Sequence, residues 1–379
     1  METAVYVHVP YCRSKCSYCD FLSFPLAAGS LGTDEYLTAL EAELALRGRE
    51  LAQAGYRVAT LYIGGGTPTA LTVGQLDRLL GACRYHLPLT APEWTVEANP
   101  GTFDAGKAAI LSRHGVNRVS LGVQDLDGDR LALLGRTHTS EEAYQAFALC
   151  RDNFASVSVD LMAGLPRQTA ENFSAALAAV LAWGPDHLSL YSLKLEEGTS
   201  LALLVATGDL TLPGEDEVAE MLLAARRQLS QAGYVHYEIA NFARLGHECC
   251  HNRVYWQNKP YLGIGLGAHS YWERKRLVNT VELPVYTDLL ARRVLPVAEE
   301  VLVTERQVME DTFMLGLRLL SGVSFADFAA CHGREAREVF AGQLARLERL
   351  GLLFCDGEYA RLTAYGLSLA NVVFAEFVS

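Results

Sequence analysis

The sequence contains no apolar run long enough to span a bilayer, so an integral membrane protein is not expected. It has no excess of positive charge: 32 Lys and Arg face 44 Asp and Glu, a formal net charge of −12. That balance argues against general affinity for nucleic acid or for anionic membranes. The start, Met1-Glu2-Thr3-Ala4, lacks the basic and apolar regions of a secretory leader. Nine cysteines at irregular spacing in 379 residues do not form a disulfide scaffold. No internal repeat or low-complexity tract is present, and no Gly-Lys-Ser/Thr follows a glycine loop to make a phosphate-binding P-loop. The expected compartment is a reducing cytoplasm. Half of the residues are hydrophobic, enough for a large core and against disorder.

Six short apolar or β-branched runs, at 5–9, 60–63, 94–97, 118–121, 157–162 and 187–190, read as strands. Amphipathic stretches at 34–54, 73–85, 103–114, 140–153 and 170–183 read as the helices between them. Alternation of this kind implies an α/β fold with a parallel sheet and helices packed outside. Polar motifs recur at the C-terminal ends of the strands, which favours a partial barrel of the (β/α)6 type over a doubly wound sheet. After about residue 214 the rhythm changes. The expected division is a barrel over 1–213, an extension over 214–300 and a C-terminal helical domain over 301–379. That last unit ends in a hairpin at Asp356-Gly357 and so resembles a winged helix.

The most specific chemistry sits at Cys12, Cys16 and Cys19, a C-x3-C-x2-C loop directly after the first strand. Iron–sulfur clusters normally take four cysteines, so three on one loop would leave one iron of a [4Fe-4S] cubane open to another ligand. Three structural cysteines, or a zinc site completed elsewhere, are the alternatives. Lys15 is a cation placed to favour the thiolates. The run Gly64-Gly65-Gly66-Thr67-Pro68-Thr69 follows a strand end. It reads either as a tight turn or as a backbone wall for a small polar cofactor. Glu97, Gln124 and Asp160 each stand at a further strand end, and Arg136 lies in Gly135-Arg136-Thr137-His138. Singly each is a solvated strand end or surface cation; together they can ring one pocket, with Tyr6 packing against the same cofactor.

These residues, with Tyr6-Val7-His8-Val9-Pro10 ahead of the cysteines, resemble the radical S-adenosylmethionine (SAM) proteins grouped around coproporphyrinogen dehydrogenase, the HemN-like family. The resemblance implies that Cys12, Cys16 and Cys19 bind a [4Fe-4S] cluster whose open iron is chelated by SAM. In that family the reduced cluster cleaves SAM to methionine and a 5′-deoxyadenosyl radical. Carried over by motif, Tyr6, Gly65, Gly66, Thr67, Glu97, Gln124, Arg136 and Asp160 would hold SAM.

Within the family the dehydrogenase branch has a further cysteine two residues after the third, where Phe21 stands here, and an N-terminal extension, whereas the first strand here begins near residue 5. Cys19-Asp20-Phe21 resembles the haem-chaperone branch instead. So does His251-Asn252-Arg253-Val254-Tyr255-Trp256, which resembles the HNxxYW element associated with haem binding. A haem pocket needs an axial ligand and flat apolar walls. His251 can supply the first and Tyr255 with Trp256 the second, with His247, Cys249 and Cys250 as competing ligands. The bland alternative is a hydrogen-bonded structural histidine. Gly263-Ile264-Gly265-Leu266-Gly267 lacks the strand–turn–helix context of a dinucleotide site. The resemblance thus implies a haem chaperone that passes haem to an acceptor apoprotein, with peripheral contact to membrane haem proteins and an electron donor the sequence does not name. The alternative is oxygen-independent oxidative decarboxylation of coproporphyrinogen III, so whether the chain is an enzyme stays open.

Overall fold

Six parallel strands form the centre of the computed structural model, which describes residues 1–26 and 32–378. They are β1 (Glu2–Val9), β2 (Arg57–Gly65), β3 (Leu89–Ala98), β4 (Arg118–Gln124), β5 (Ser156–Ala163) and β6 (His187–Ser192). Each hydrogen-bonds its successor in sequence order. Helices α1 (Thr33–Gln53), α2 (Val73–His86), α3 (Ala105–His114), α4 (Ser140–Asn153) and α5 (Ala170–Trp183) make the crossovers. Several helix starts are fixed locally. Thr72, Thr139 and Thr169 each accept from the backbone three residues on, and Gln75, Glu142 and Asn172 return a side chain to the cap. The main core lies between sheet and helices and includes Val5, Leu40, Leu61, Val96, Val119 and Leu177, all fully buried. This is the partial (β/α)6 barrel expected from the strand–helix alternation.

The sheet continues past both barrel edges to twelve strands. Beyond β6 lie β8 (Asn241–Ala243) and then β7 (Val235–Glu238), both antiparallel. Beyond β1 lie β9 (Tyr261–Ile264), β10 (His269–Trp272), β11 (Lys275–Asn279) and β12 (Val297–Leu302). β9 pairs with β1 in parallel, Ala4 opposite Tyr261 through Val7 opposite Ile264. Residues 235–302 therefore serve both edges of the sheet. Between the two groups sits α6 (Cys250–Trp256), which carries the HNxxYW residues.

A second core packs Phe313, Phe328, Phe340 and Phe377 among the C-terminal helices. A three-stranded sheet of 323–324, 359–362 and 353–355 covers it, with Asp356-Gly357 at the hairpin turn. Among the described residues, no helix is long and apolar enough to cross a membrane.

Candidate functional site

A cavity of about 460 Å³ opens at the C-terminal end of the barrel strands. Cys12, Cys16 and Cys19 line it together with Gly65, Gly66, Thr67, Glu97, Gln124, Arg136 and Asp160. The strand-end positions meet because parallel register aligns them: Glu97 lies opposite Ser120, Gly122 opposite Asp160, and Asp160 opposite Ser189. Tyr6 is placed differently. It lines a neighbouring cavity rather than this one, its hydroxyl 3.1 Å from His8 Nδ1.

The cysteine loop is braced from both sides. Ser17 N–H donates to Leu134 O at 3.0 Å, and Cys12 Sγ lies 3.5 Å from Thr67 Oγ1. All three thiols are free and half-buried. Among the described residues no three His, Cys, Asp or Glu side chains converge on a single ion position. Burial pushes the Cys12 and Cys19 thiols up, and Lys15 opposes this only weakly at Cys19. Arg136 places its Nη1 3.8 Å from Cys16 Sγ.

The glycine run has a packing reason as well as a lining role. A Cβ on Gly64 would lie 2.7 Å from the Glu97 carboxylate, and one on Gly66 2.6 Å from Tyr11 O. Gly65 has φ +106°, a left-handed conformation that disfavours side chains. Its N–H donates to Glu97 Oε2 at 3.1 Å, and Tyr62 donates to Glu97 Oε1 at 2.9 Å. Burial, reinforced by Asp160, lifts the Glu97 carboxyl to about 7. Asp160 is raised by burial too, while Ser120 donates to it at 3.2 Å. Gln124 holds φ +70°, a strained conformation for a side-chain-bearing residue, and accepts from Tyr191 at 3.2 Å. Arg136 Nε and Asn241 Oδ1 are buried with no hydrogen-bond partner among the described residues, and both residues line the cavity. One spare donor and one spare acceptor beside a carboxylate of raised pKa suit a zwitterionic ligand.

Motif reading missed Tyr62, Ser120, Ser189 and Tyr191, which line the same cavity. Strand alternation carries the signal: 120, 122 and 124 share a face, as do 189 and 191.

The second cavity, about 850 Å³, shares Phe21, Gly65 and Glu97 with the first. Tyr255 and Trp256 line it, as do Leu22, Tyr261, Tyr271, and Met314 of the C-terminal domain. Trp256 Nε1 is buried with no hydrogen-bond partner among the described residues. α6 thus straddles both spaces, because Asn252 faces the first.

His251 does not stand as a free ligand. It is 1% exposed, lines neither cavity, and has both ring nitrogens engaged: Nδ1 with Thr60 Oγ1 at 2.9 Å and Nε2 with the Tyr255 hydroxyl at 2.8 Å. In this structure its ring is turned to protein partners and not to the second cavity. It holds Tyr255 in the wall of the second cavity. Glu93 fixes the helix start, accepting from Cys250 N and His251 N at 2.8 Å each. The competing ligands are also elsewhere: Cys249 is buried, His247 lies against Ser156, and neither they nor Cys250 line the second cavity.

Burial, with Arg118 nearby, pushes His251 down to about 3. An unfolded histidine titrates near about 6.5, so the folded state binds fewer protons below that pH. The stability His251 contributes is complete above about pH 6.5 and is lost as pH falls toward 3; at pH 5 the loss is about 2 kcal/mol. Denaturant unfolding at pH 7 and pH 5 should therefore show a drop about 2 kcal/mol larger for the wild type than for His251→Asn. Equal drops would rule out a buried neutral imidazole.

Residues 6–180 match the Radical SAM superfamily, and residues 303–369 match the HemN C-terminal domain. The chain is 37% identical over 379 residues to the heme chaperone HemW of Bacillus subtilis, spanning 99% of both chains. It is 34% identical to that of Escherichia coli K12, spanning 99% of this chain and 98% of the other. The chain belongs to the HemW family of radical SAM proteins. In fold, the solved coproporphyrinogen III oxidase HemN of Escherichia coli, a radical SAM enzyme, matches with a TM-score of 0.86 at 25% identity, covering 99% of this chain and 89% of that one. Membership of the superfamily implies a [4Fe-4S] cluster and SAM. The three thiols and the unpaired Arg136 and Asn241 atoms in the first cavity fit both groups.

Proposed function

We propose that this protein is a haem chaperone that carries a [4Fe-4S] cluster and SAM, binds haem and delivers it to an acceptor apoprotein. One observation supports this most: an aromatic-walled cavity large enough for a tetrapyrrole adjoins the cysteine-lined cavity and contains Tyr255 and Trp256. In this reading Cys12, Cys16 and Cys19 hold the cluster, and Gly65, Gly66, Thr67, Glu97, Gln124, Arg136 and Asp160 hold SAM. When bound, these groups supply a low-potential electron and a sulfonium able to accept it. Glu97 and Asp160 answer the ammonium and ribose hydroxyls, and Arg136 the carboxylate. Tyr6, Tyr255 and Trp256 provide haem contact surface, and His251 acts through Tyr255. Solvent-accessible thiols of this kind suit a reducing compartment such as the cytoplasm.

Full-length likeness to HemN favours one rival reading, oxidative decarboxylation of coproporphyrinogen III. Phe21 weighs against it, because an exposed phenylalanine rather than a cysteine borders both cavities. The test is anaerobic reconstitution followed by parallel assays of haem binding, 5′-deoxyadenosine release and coproporphyrinogen decarboxylation. Haem should bind with a defined Soret band, and Tyr255→Ala should weaken it about tenfold, the order of losing one buried aromatic contact. Turnover of coproporphyrinogen III without haem binding would overturn the chaperone reading.

A further inference from the structure

The second cavity has histidines in its lining that lie outside the HNxxYW element. Two histidines line it, His8 and His269. His8 is buried and committed, with Nε2 2.9 Å from Leu22 O and Nδ1 3.1 Å from the Tyr6 hydroxyl. His269 is exposed, and among the described residues its ring makes no hydrogen bond, ion pair or aromatic contact. Its backbone is held in place. It pairs with Val278 on β11, and on β9 a Cβ at Gly263 would lie 2.1 Å from His269 O, so only glycine permits this approach. Tyr271, two residues on and on the same face of β10, lines the cavity as well.

The charges are also distributed for a specific ligand. Arg276, opposite Tyr271 in register, and Lys259 bring cations to the cavity. Arg276 is paired with Asp311, whereas Lys259 has no ion pair among the described residues. The acidic Glu97 belongs to the end shared with the first cavity, and Asp20 adjoins Phe21 there. Aromatic walls, one free imidazole and a free ammonium suit a flat apolar ring bearing a metal and carboxylates.

We propose that His269 is the axial ligand to haem iron in this cavity and that Lys259, seconded by Arg276, receives the propionates. The proposal rests on the haem-chaperone reading. Neutral imidazoles are common ligands of haem iron, and they need a nitrogen lone pair not engaged elsewhere. His269 meets that condition where His8 and His251 do not.

The test is anaerobic haem titration of the cluster-reconstituted protein, followed by Soret absorbance and electron paramagnetic resonance. His269→Ala should lose the wild-type ligand signature and bind haem about tenfold more weakly, with added imidazole restoring the signature. His269→Gln, closer in size, should behave alike and guards against a folding defect. His251→Ala should keep the ligand signature while losing affinity through the displaced Tyr255. Lys259→Ala should weaken haem several-fold, about the value of one charge-assisted contact, yet leave haem dimethyl ester binding unchanged. If wild type binds haem and both His269 variants keep its signature and affinity, the ligand assignment fails while the chaperone reading stands. If wild type binds no haem, both fall.

Discussion

Replacing Gly66 by alanine should cost about 3 kcal/mol of stability, at the upper end of overpacking penalties, and should sharply reduce the iron retained after reconstitution. The new Cβ would meet Tyr11 O at 2.6 Å, Tyr11 N at 2.8 Å and Val9 O at 2.8 Å. All three are backbone atoms, so no side-chain rotation relieves the clash. Gly66 N–H also donates to Val9 O at 2.9 Å and Thr67 N–H to Tyr11 O at 2.7 Å. The segment that must shift is therefore the one leading directly into Cys12. Stability and cluster retention should fail together, because the same backbone supports both. Gly74→Ala is the control: it lies in α2 with nothing within 4 Å of its Cβ, and alanine should be neutral or slightly stabilising there. Denaturant midpoints and iron content measured side by side decide the matter. Equal values for the two variants would show that the glycine run is not tied to the cysteine loop.

That coupling was invisible in the sequence, although both partners were conspicuous there. Period-two and period-3.6 patterns place β1 to β6 and α1 to α5 within a few residues of where they stand, because burial on one face dictates both. Glu97, Gln124 and Asp160 were legible as a set since a parallel sheet lines up its strand ends. Pattern alone does not say which side of a strand end a residue faces, and Tyr6 lines the second cavity. His251 illustrates the deeper limit. Its motif identifies the segment, but the partners that engage its ring include Thr60, almost two hundred residues away, and Tyr255 one turn on. His269 carried no motif signal of its own. Its availability follows from the pairing of β9 with β1, which brings residues 261–272 beside Tyr6 and His8.

SAM affinity should depend on pH through Glu97. At the ordinary carboxylate pKa this side chain would be ionised throughout the physiological range. Burial, with Asp160 nearby, lifts it to about 7, against the opposing hydrogen bonds from Tyr62 and Gly65 N–H. Below that pH the carboxyl is protonated in the free protein and must lose its proton before it can pair with an ammonium group. Affinity should therefore fall as pH drops, approaching about tenfold per unit below 7, and level off above it. Glu97→Gln preserves the shape and can keep the contacts to Tyr62 and Gly65, so the fold should survive. Its SAM affinity should be about ten- to hundredfold weaker at pH 8, the range for a lost charge-assisted hydrogen bond, and nearly flat between pH 6 and 8. Calorimetric titration of the anaerobic protein with SAM, repeated across that range, reads both effects. A variant with the wild-type slope would move the titrating group elsewhere, with Asp160 next in line because it too is buried, raised and part of the cavity wall. Gly64 supplies an independent check, since an alanine there would press on the Glu97 carboxylate from 2.7 Å. Gly64→Ala should weaken SAM at every pH while leaving the midpoint of any remaining pH dependence with Glu97, separating the position of the carboxylate from its charge.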